Sequence, residues 1–435
     1  MLRGFLNAFK TPDLRNKLLF TIGIIVVFRL GSFVPSPGVN YTAVKECTSG
    51  DVNDGLLGMI NLFSGGALLQ LSVFALGIMP YITASIIVNL LRVVIPRFDA
   101  LHKEGQSGQA KLTQYTRYVT VGLAILQSTT IITTALTGAL FGSKGDACDN
   151  VIIDKGNMLN LVIMIIAMTA GTSLIMWLGE LITENGVGNG MSILIFSSIC
   201  ANFLPNLWSI GQTNWGKFFI VVATVIVIIT VVTFVEQSQR RIPVQYARMQ
   251  PGQSTAGSGQ LTYLPIKINM SGVIPIIFSS SILAVPGLIA QFGDPQSGWV
   301  QWVQSNLSQQ TSPIHMIFYA LLIVFFCFFY TSITFNPEEV ATNMRNQNGF
   351  IPGIRAGEST TGYLKYIINR LNTVGSIYLS IVALIPTLIF MAVGLSASMP
   401  FGGTTILIIV GVGLDTVKQI NSQLQQHHYD GFLGQ

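Results

Sequence analysis

The chain has 435 residues, half of them apolar and only 9% charged, with a net charge of +5. Soluble domains carry roughly 25% charged residues, so this chain cannot cover its own surface with polar groups, and lipid must be part of its solvent. The small positive charge comes without a long Lys/Arg run, which excludes a nucleic-acid-binding arm.

Residues 1–17 place Leu2, Phe5, Leu6 and Phe9 at helical spacing among Arg3, Lys10, Arg15 and Lys17. This predicts a cytoplasmic amphipathic helix on the inner membrane surface, a disordered basic start being the alternative, and no cleavable signal peptide. A spanning helix needs about 20 mainly apolar residues. Windows of that kind fall at 18–36, 72–95, 118–141, 158–179 and 191–210, then at 217–235, 270–292, 313–335, 372–393 and 403–420. The expected fold is therefore an all-α polytopic membrane protein with about ten transmembrane helices. A β-barrel is excluded because the apolar runs are continuous rather than alternating. The first five windows make an N-terminal half, 18–210, and the last five a C-terminal half, 211–420, followed by a cytoplasmic tail, 421–435. An odd number of helices per half makes the two halves inverted in topology.

With the N-terminus inside, the inner segments hold Arg3, Lys10, Arg15, Lys17, Arg97, Lys103, Lys111, Arg117, Arg240, Arg241, Arg248, Lys267, Arg345, Arg355, Lys365, Arg370 and Lys418. The outer segments hold only Lys45, Lys144, Lys155 and Lys217. That asymmetry places both termini in the cytoplasm. The inner stretch from Glu180 to Gly190 has no Lys or Arg and does not contribute. Two inner loops are large, at 237–268 and 336–371. Loops of that length in a compact chain are usually functional or disordered, and these face the side on which cytoplasmic partners would dock.

Chemistry-bearing patterns are sparse. Charge inside a membrane usually marks an ion or proton path, yet only Arg29 and Asp415 lie well within windows, with Glu180 and Glu236 near inner ends. Asp415 is positioned to pair with Lys418. Cys200 and Cys327 fall in apolar runs, while Cys47 and Cys148 fall in outer loops, where a disulfide is open. His-Glu-x-x-His, a P-loop and zinc-type cysteine spacing are all missing. Gly105-Gln106-Ser107-Gly108 matches a protease-like motif, but in a charged loop where an intramembrane nucleophile has no use. The chain is expected not to be an enzyme and to need no metal or cofactor. On the residues alone, a secondary transporter of a small solute and an intramembrane protease stand beside a protein channel.

Several stretches, in order along the chain, carry a resemblance. They are Phe63-Ser-Gly-Gly-Ala-Leu running into Phe74-Ala-Leu-Gly-Ile-Met-Pro-Tyr-Ile-Thr-Ala-Ser-Ile-Ile, and Met176-Trp-Leu-Gly-Glu-Leu-Ile-Thr-Glu with Gly188-Asn-Gly. Gln239-Arg-Arg-Ile-Pro-Val-Gln-Tyr-Ala-Arg and Leu264-Pro-Ile-Lys-Ile-Asn-Met-Ser-Gly-Val-Ile-Pro follow, then Phe335-Asn-Pro-Glu-Glu, Ile351-Pro-Gly-Ile-Arg-Ala-Gly-Glu and Phe401-Gly-Gly-Thr. Together they resemble the SecY family of protein-conducting channels over nearly the whole chain.

The resemblance implies a central pore between the two five-helix halves. Its waist would be a ring of Ile78, Ile82, Ile195, Ile277 and Ile408. On the residues alone, each of these is an ordinary packed or lipid-facing isoleucine. A plug at about 56–70 would include Asn61, Phe63, Ser64, Gly65 and Gly66. A lateral gate toward lipid between the second and seventh spans would involve Thr83, Ser85, Asn89, Gln127 and Pro275. Arg240, Arg241, Arg248 and Arg355 would dock the SecA ATPase and the ribosome; Ala356 departs from the proline that often follows the arginine in the family. The implied partners also include SecE and SecG subunits and substrate polypeptides bearing signal sequences. The implied location is the bacterial cytoplasmic membrane.

Overall fold

The computed structural model describes residues 11–48, 64–136, 151–152, 157–246, 261–291, 297–309, 311–392 and 403–433. The chain is built on helices α1 (Pro12–Gly31), α2 (Tyr41–Thr48), α3 (Met79–Val94), α4 (Pro96–Lys103), α5 (Gln106–Leu136), α6 (Met158–Asn185), α7 (Gly190–Thr213) and α8 (Trp215–Gln237). Strands β1 (Gln239–Tyr246) and β2 (Leu261–Lys267) lead to α9 (Ile274–Gln291), α10 (Gly298–Val303), a π-helical turn (Gln304–Ser308) and α11 (Pro313–Thr334). Helix α12 (Pro337–Asn346), strand β3 (Gly349–Phe350), α13 (Glu358–Ala392) and α14 (Gly403–Leu433) complete it.

Local chemistry sets many of the boundaries. Pro12 opens α1, where its missing N–H costs no hydrogen bond. Asparagine caps α6, α7 and α8: Asn157 accepts from Leu159 N, Asn189 from Met191 N and Ser192 N, and Asn214 from Gly216 N. The chain bends by 98° between α3 and α4. Pro96 disfavours helical backbone at the residue before it, and Ile95 is accordingly extended, at φ −105° and ψ 111°.

Each apolar window overlaps one of these helices. Among the described residues, six helices are long and apolar enough to cross a membrane, or seven if the bent α3–α4 pair counts as one span. Helices α7 and α9 contain shorter apolar segments. The windows and helices are offset in places. Residues before Met79 in the 72–95 window form tight turns, α13 begins at Glu358, and α14 runs on to Leu433.

The expectation of an all-α chain is corrected in the two large loops. Strands β1 and β2 form an antiparallel pair, with Ile242 opposite Leu264 and Arg240 opposite Ile266. The short β3 joins the other edge of β1 through Gln245–Phe350 and Tyr246–Gly349. Along β1, Ile242 and Val244 are buried while Arg241 and Pro243 are exposed, a period of two that seats one face on the helices. The buried face packs with Ile266, Met344, Ile351, Leu364, Ile367 and Ile368. The two loops therefore form one platform rather than two separate linkers.

Three larger clusters lie away from that platform. One gathers Leu68, Leu71, Ile132, Met164 and Met168 from the first half. A second gathers Val221, Ile276, Ile323, Leu379 and Leu407, mostly from the second half. The third lies between them, taking Phe28, Ile78, Ile175 and Ile195 from one side and Ile277 and Ile408 from the other. The outward faces remain apolar: Val227 is 61% and Phe234 75% exposed on α8. Lipid satisfies such a face, whereas water would not. Inside a bilayer, helix association depends on close packing rather than on a hydrophobic drive. Gly179 and Gly190 provide such a contact: a Cβ on Gly190 would meet the Gly179 carbonyl where α6 and α7 cross.

Candidate channel site

The five isoleucines come from four separate segments and meet in one apolar cluster. Ile78 ends the turns before α3, and Ile82 lies one turn on, its N–H bonded to the Ile78 carbonyl at 3.2 Å. Ile195 comes from α7, Ile277 from α9 and Ile408 from α14. Ile78, Ile195, Ile277 and Ile408 are buried, and Ile82 is half-buried. A cavity of about 450 Å³ adjoins the cluster, lined by Ile82, Ile195, Ile277 and Ile408. On α3, Ile82, Ser85, Ile86 and Asn89 line it at helical spacing, so one face of that helix turns inward. The polar residues Arg92, His102 and Asn189 line the same cavity.

Sequence reasoning missed those three polar residues, along with Tyr81 and Phe278 on the same wall. Helical spacing from Ile82 points to Ser85 and Asn89, but nothing in the sequence brings α4 or the α7 cap to the same space. A bidentate ion pair was also missed. Arg117 Nε and Nη2 donate to Glu180 at 2.9 Å and 2.7 Å, tying α5 to α6 across 63 residues of sequence.

Ser64, Gly65 and Gly66 lie where the implied plug would join the turns before α3. Asn61 and Phe63 lie outside the described residues. Gly65 and Gly66 have φ of 71° and 90°, backbone that favours glycine. The Ser64 hydroxyl accepts from Leu68 N at 3.1 Å, which closes the turn. Arg29, the cation within the first window, donates from Nη1 to the Gly65 carbonyl at 3.0 Å. A Cβ on Gly65 would lie 2.6 Å from that nitrogen. The guanidinium also lies 5.7 Å from the Phe33 ring centroid.

The five implied gate residues divide. Ser85 and Asn89 line the cavity. Thr83 bonds the Met79 carbonyl of its own helix at 3.0 Å. Gln127 is half-buried on α5, and Pro275 is buried in the first turn of α9; neither lines the cavity. Helix α3 rests chiefly on α5 and meets α9 only narrowly.

Among the implied docking residues, Arg240 and Arg241 are exposed on β1. Arg355 is exposed in the turn before α13, between Gly353 (φ 83°) and Gly357 (φ 111°). Its carbonyl accepts from the Thr360 hydroxyl at 3.0 Å. Arg248 lies outside the described residues. Asp415 does not take Lys418 as its ion-pair partner. The Lys267 Nζ lies 3.7 Å from its Oδ1, because β2 ends beside α14.

Known proteins resemble this chain in sequence and in fold. A model of the SecY family matches residues 72–417. Over all of both chains, the sequence is 56% identical, across 439 residues, to the protein translocase subunit SecY of Streptomyces scabiei. It is 50% identical, across 447 residues, to that of Mycobacterium tuberculosis, again over all of both chains. A solved structure described as a protein conducting channel shares the fold with a TM-score of 0.61 and 16% identity, covering 93% of this chain and 91% of that one. Sec61 in a canine ribosome-channel complex gives 0.58 at 16% identity, with the same coverage.

Proposed function

The chain belongs to the SecY family, and on that footing we propose how it conducts polypeptides. It is a multi-pass membrane protein and a protein-conducting channel. In our reading it crosses the bacterial cytoplasmic membrane ten times with both termini inside, and the path runs between its two inverted halves. The observation that carries this reading is the convergence of Ile78, Ile82, Ile195, Ile277 and Ile408 on one cluster beside a cavity.

The chemistry suits transit. Isoleucine side chains close against each other and exclude water, and a narrow apolar constriction resists ions by dewetting. They offer a passing backbone no fixed hydrogen bond, so any sequence can slide through. The polar wall at Asn89, Arg92, His102 and Asn189 receives the chain from the cytoplasm. Ser64 to Gly66 form the joint of a plug on the far side. The narrow α3–α9 contact is the seam through which a signal sequence or membrane segment leaves toward lipid. Polar side chains in such a seam hold it for about 0.6–2 kcal/mol each, which an apolar segment can displace.

The chain carries no nucleotide-binding motif among its 435 residues, so SecA or a translating ribosome supplies the drive. Arg240, Arg241 and Arg355 on the sheet platform offer planar, bidentate donors to a partner's carboxylates or phosphates. SecE and SecG subunits complete the assembly. The test is reconstitution: vesicles holding this chain with SecE, plus SecA and ATP, should take a secretory precursor inward. Partner-free uptake of a small solute instead would overturn the reading in favour of a carrier.

A further inference from the structure

Residues 268–273 link strand β2 to helix α9, the helix that carries Ile277 into the isoleucine cluster. Around this linker, Asn269 is 3% exposed, Ser271 2%, Cys327 1%, Thr331 3% and Asn372 6%. They form a continuous chain of contacts. Asn269 Nδ2 donates to Glu236 Oε1 at 2.6 Å and to the Gly272 carbonyl at 3.1 Å. The Ser271 hydroxyl donates to Asn269 Oδ1 at 3.2 Å and lies 3.2 Å from the Cys327 sulfur. The Cys327 thiol donates to Asn372 Oδ1 at 3.1 Å, and the Thr331 hydroxyl donates to the same oxygen at 2.9 Å. The linker is thereby fastened to α8, α11 and α13.

Backbone geometry adds to the case. Gly272, two residues before α9 starts, has φ 61° and open space where a Cβ would be. Glycine adopts such a φ without strain, so residue 272 sets the angle at which α9 starts. On the other side, Gly375 of α13 lets the linker approach so closely that a Cβ there would lie 2.8 Å from the Ile268 carbonyl. Helix α9 thus begins at a glycine turn held by a buried hydrogen-bond cluster, while its contact with α3 is narrow.

We propose that this cluster is a clasp, and that Asn269 and Asn372 are positioning residues that hold the start of α9, and with it Ile277, in the closed setting of the constriction. The fastening is all-or-none. Away from water, each bond that opens leaves a buried polar group unsatisfied, so the clasp resists small displacements and yields as a unit. With the clasp shut, this end of α9 moves with α8, α11 and α13. The seam with α3 then has to open from the part of α9 further from the linker, where Pro286 lies inside the helix and removes one of its backbone hydrogen bonds. The proposal rests on the constriction described under Proposed function.

The experiment uses vesicles holding the complex with SecA and ATP, and two precursors, one with an intact signal and one with a crippled signal. Export of the second relative to the first is read for Asn372→Leu, Thr331→Val, Thr331→Ser and Ile277→Asn, each normalised to inserted protein. Asn372→Leu keeps the branched shape of the side chain and removes the shared acceptor. The expected result is a rise in the ratio of about fivefold for Asn372→Leu, from the bonds lost. A smaller rise is expected for Thr331→Val and none for Thr331→Ser, which restores the hydroxyl. A purely structural role would lower both precursors together, and that outcome overturns the clasp. An unchanged ratio alongside a raised ratio for Ile277→Asn overturns the clasp alone; no rise in either overturns the constriction with it. If Asn372→Leu does not insert, Thr331→Val against Thr331→Ser decides.

Discussion

At the constriction we propose, isoleucine has two jobs that pull in opposite directions. It must keep water out of a resting channel and yet not adhere to a moving chain. Replacing Ile82 or Ile408 with Asn puts a carboxamide where Ile408 is now 1% exposed. A buried polar group gains about 1–3 kcal/mol from hydration, so wetting of the constriction becomes easier by roughly tenfold. Ion leak through resting vesicles should rise by about that factor, and precursors with poor signals should begin to pass. Unchanged leak in both variants would count against the ring. At this scale the sequence is least informative. Ile408 sits in a run of apolar residues, and nothing in its spacing separates it from Ile406, which packs with the second half instead. Arg29 is the opposite case. A lone cation in an apolar window demands a partner, but that the partner is a backbone carbonyl at Gly65 depends on tertiary contact.

Among the elements, two predictions separate packing from docking. Helices α6 and α7 cross where Gly190 faces the Gly179 carbonyl. Gly190→Ala forces them apart, and overpacking of that kind typically costs about 1–3 kcal/mol. Thermal unfolding in detergent should show a lowered midpoint, and an unchanged midpoint would mean the crossing is looser than described. On the platform, Arg355→Glu should leave insertion and melting intact and abolish SecA-driven export. Normal export in that variant would remove the docking assignment. The helices were legible because about 20 apolar residues in a row permit little else. The platform was not. The Ile242–Val244 alternation in β1 is too short to stand out, and its partner strand begins at Leu261, across an intervening stretch rich in Gln, Gly and Ser. Ladder pairing over such a separation is a tertiary property that no local pattern carries.

For the whole molecule, the arrangement of cores suits the opening we propose. Each half has its own buried cluster, and a third, shared one lies between them. Parting the halves withdraws Ile277 and Ile408 from the shared cluster and leaves most of the other two packed. The positive-inside asymmetry is a property of the sequence itself, and the two-half plan is our reading of the window count. The meeting of α3, α7, α9 and α14 around one cavity was implied only by resemblance, since no periodicity along the chain dictates which helices become neighbours. The most direct test uses a chain whose four cysteines are replaced by serine, with a single cysteine placed at position 82 or, as a lipid-facing control, at position 234. A secretory precursor is stalled midway through reconstituted vesicles, and disulfide crosslinking to a cysteine in its translocating segment is measured. The account predicts a strong crosslink from position 82 and none from position 234. A stalled chain that is protected inside the vesicle assembly yet never crosslinks to position 82 would contradict it.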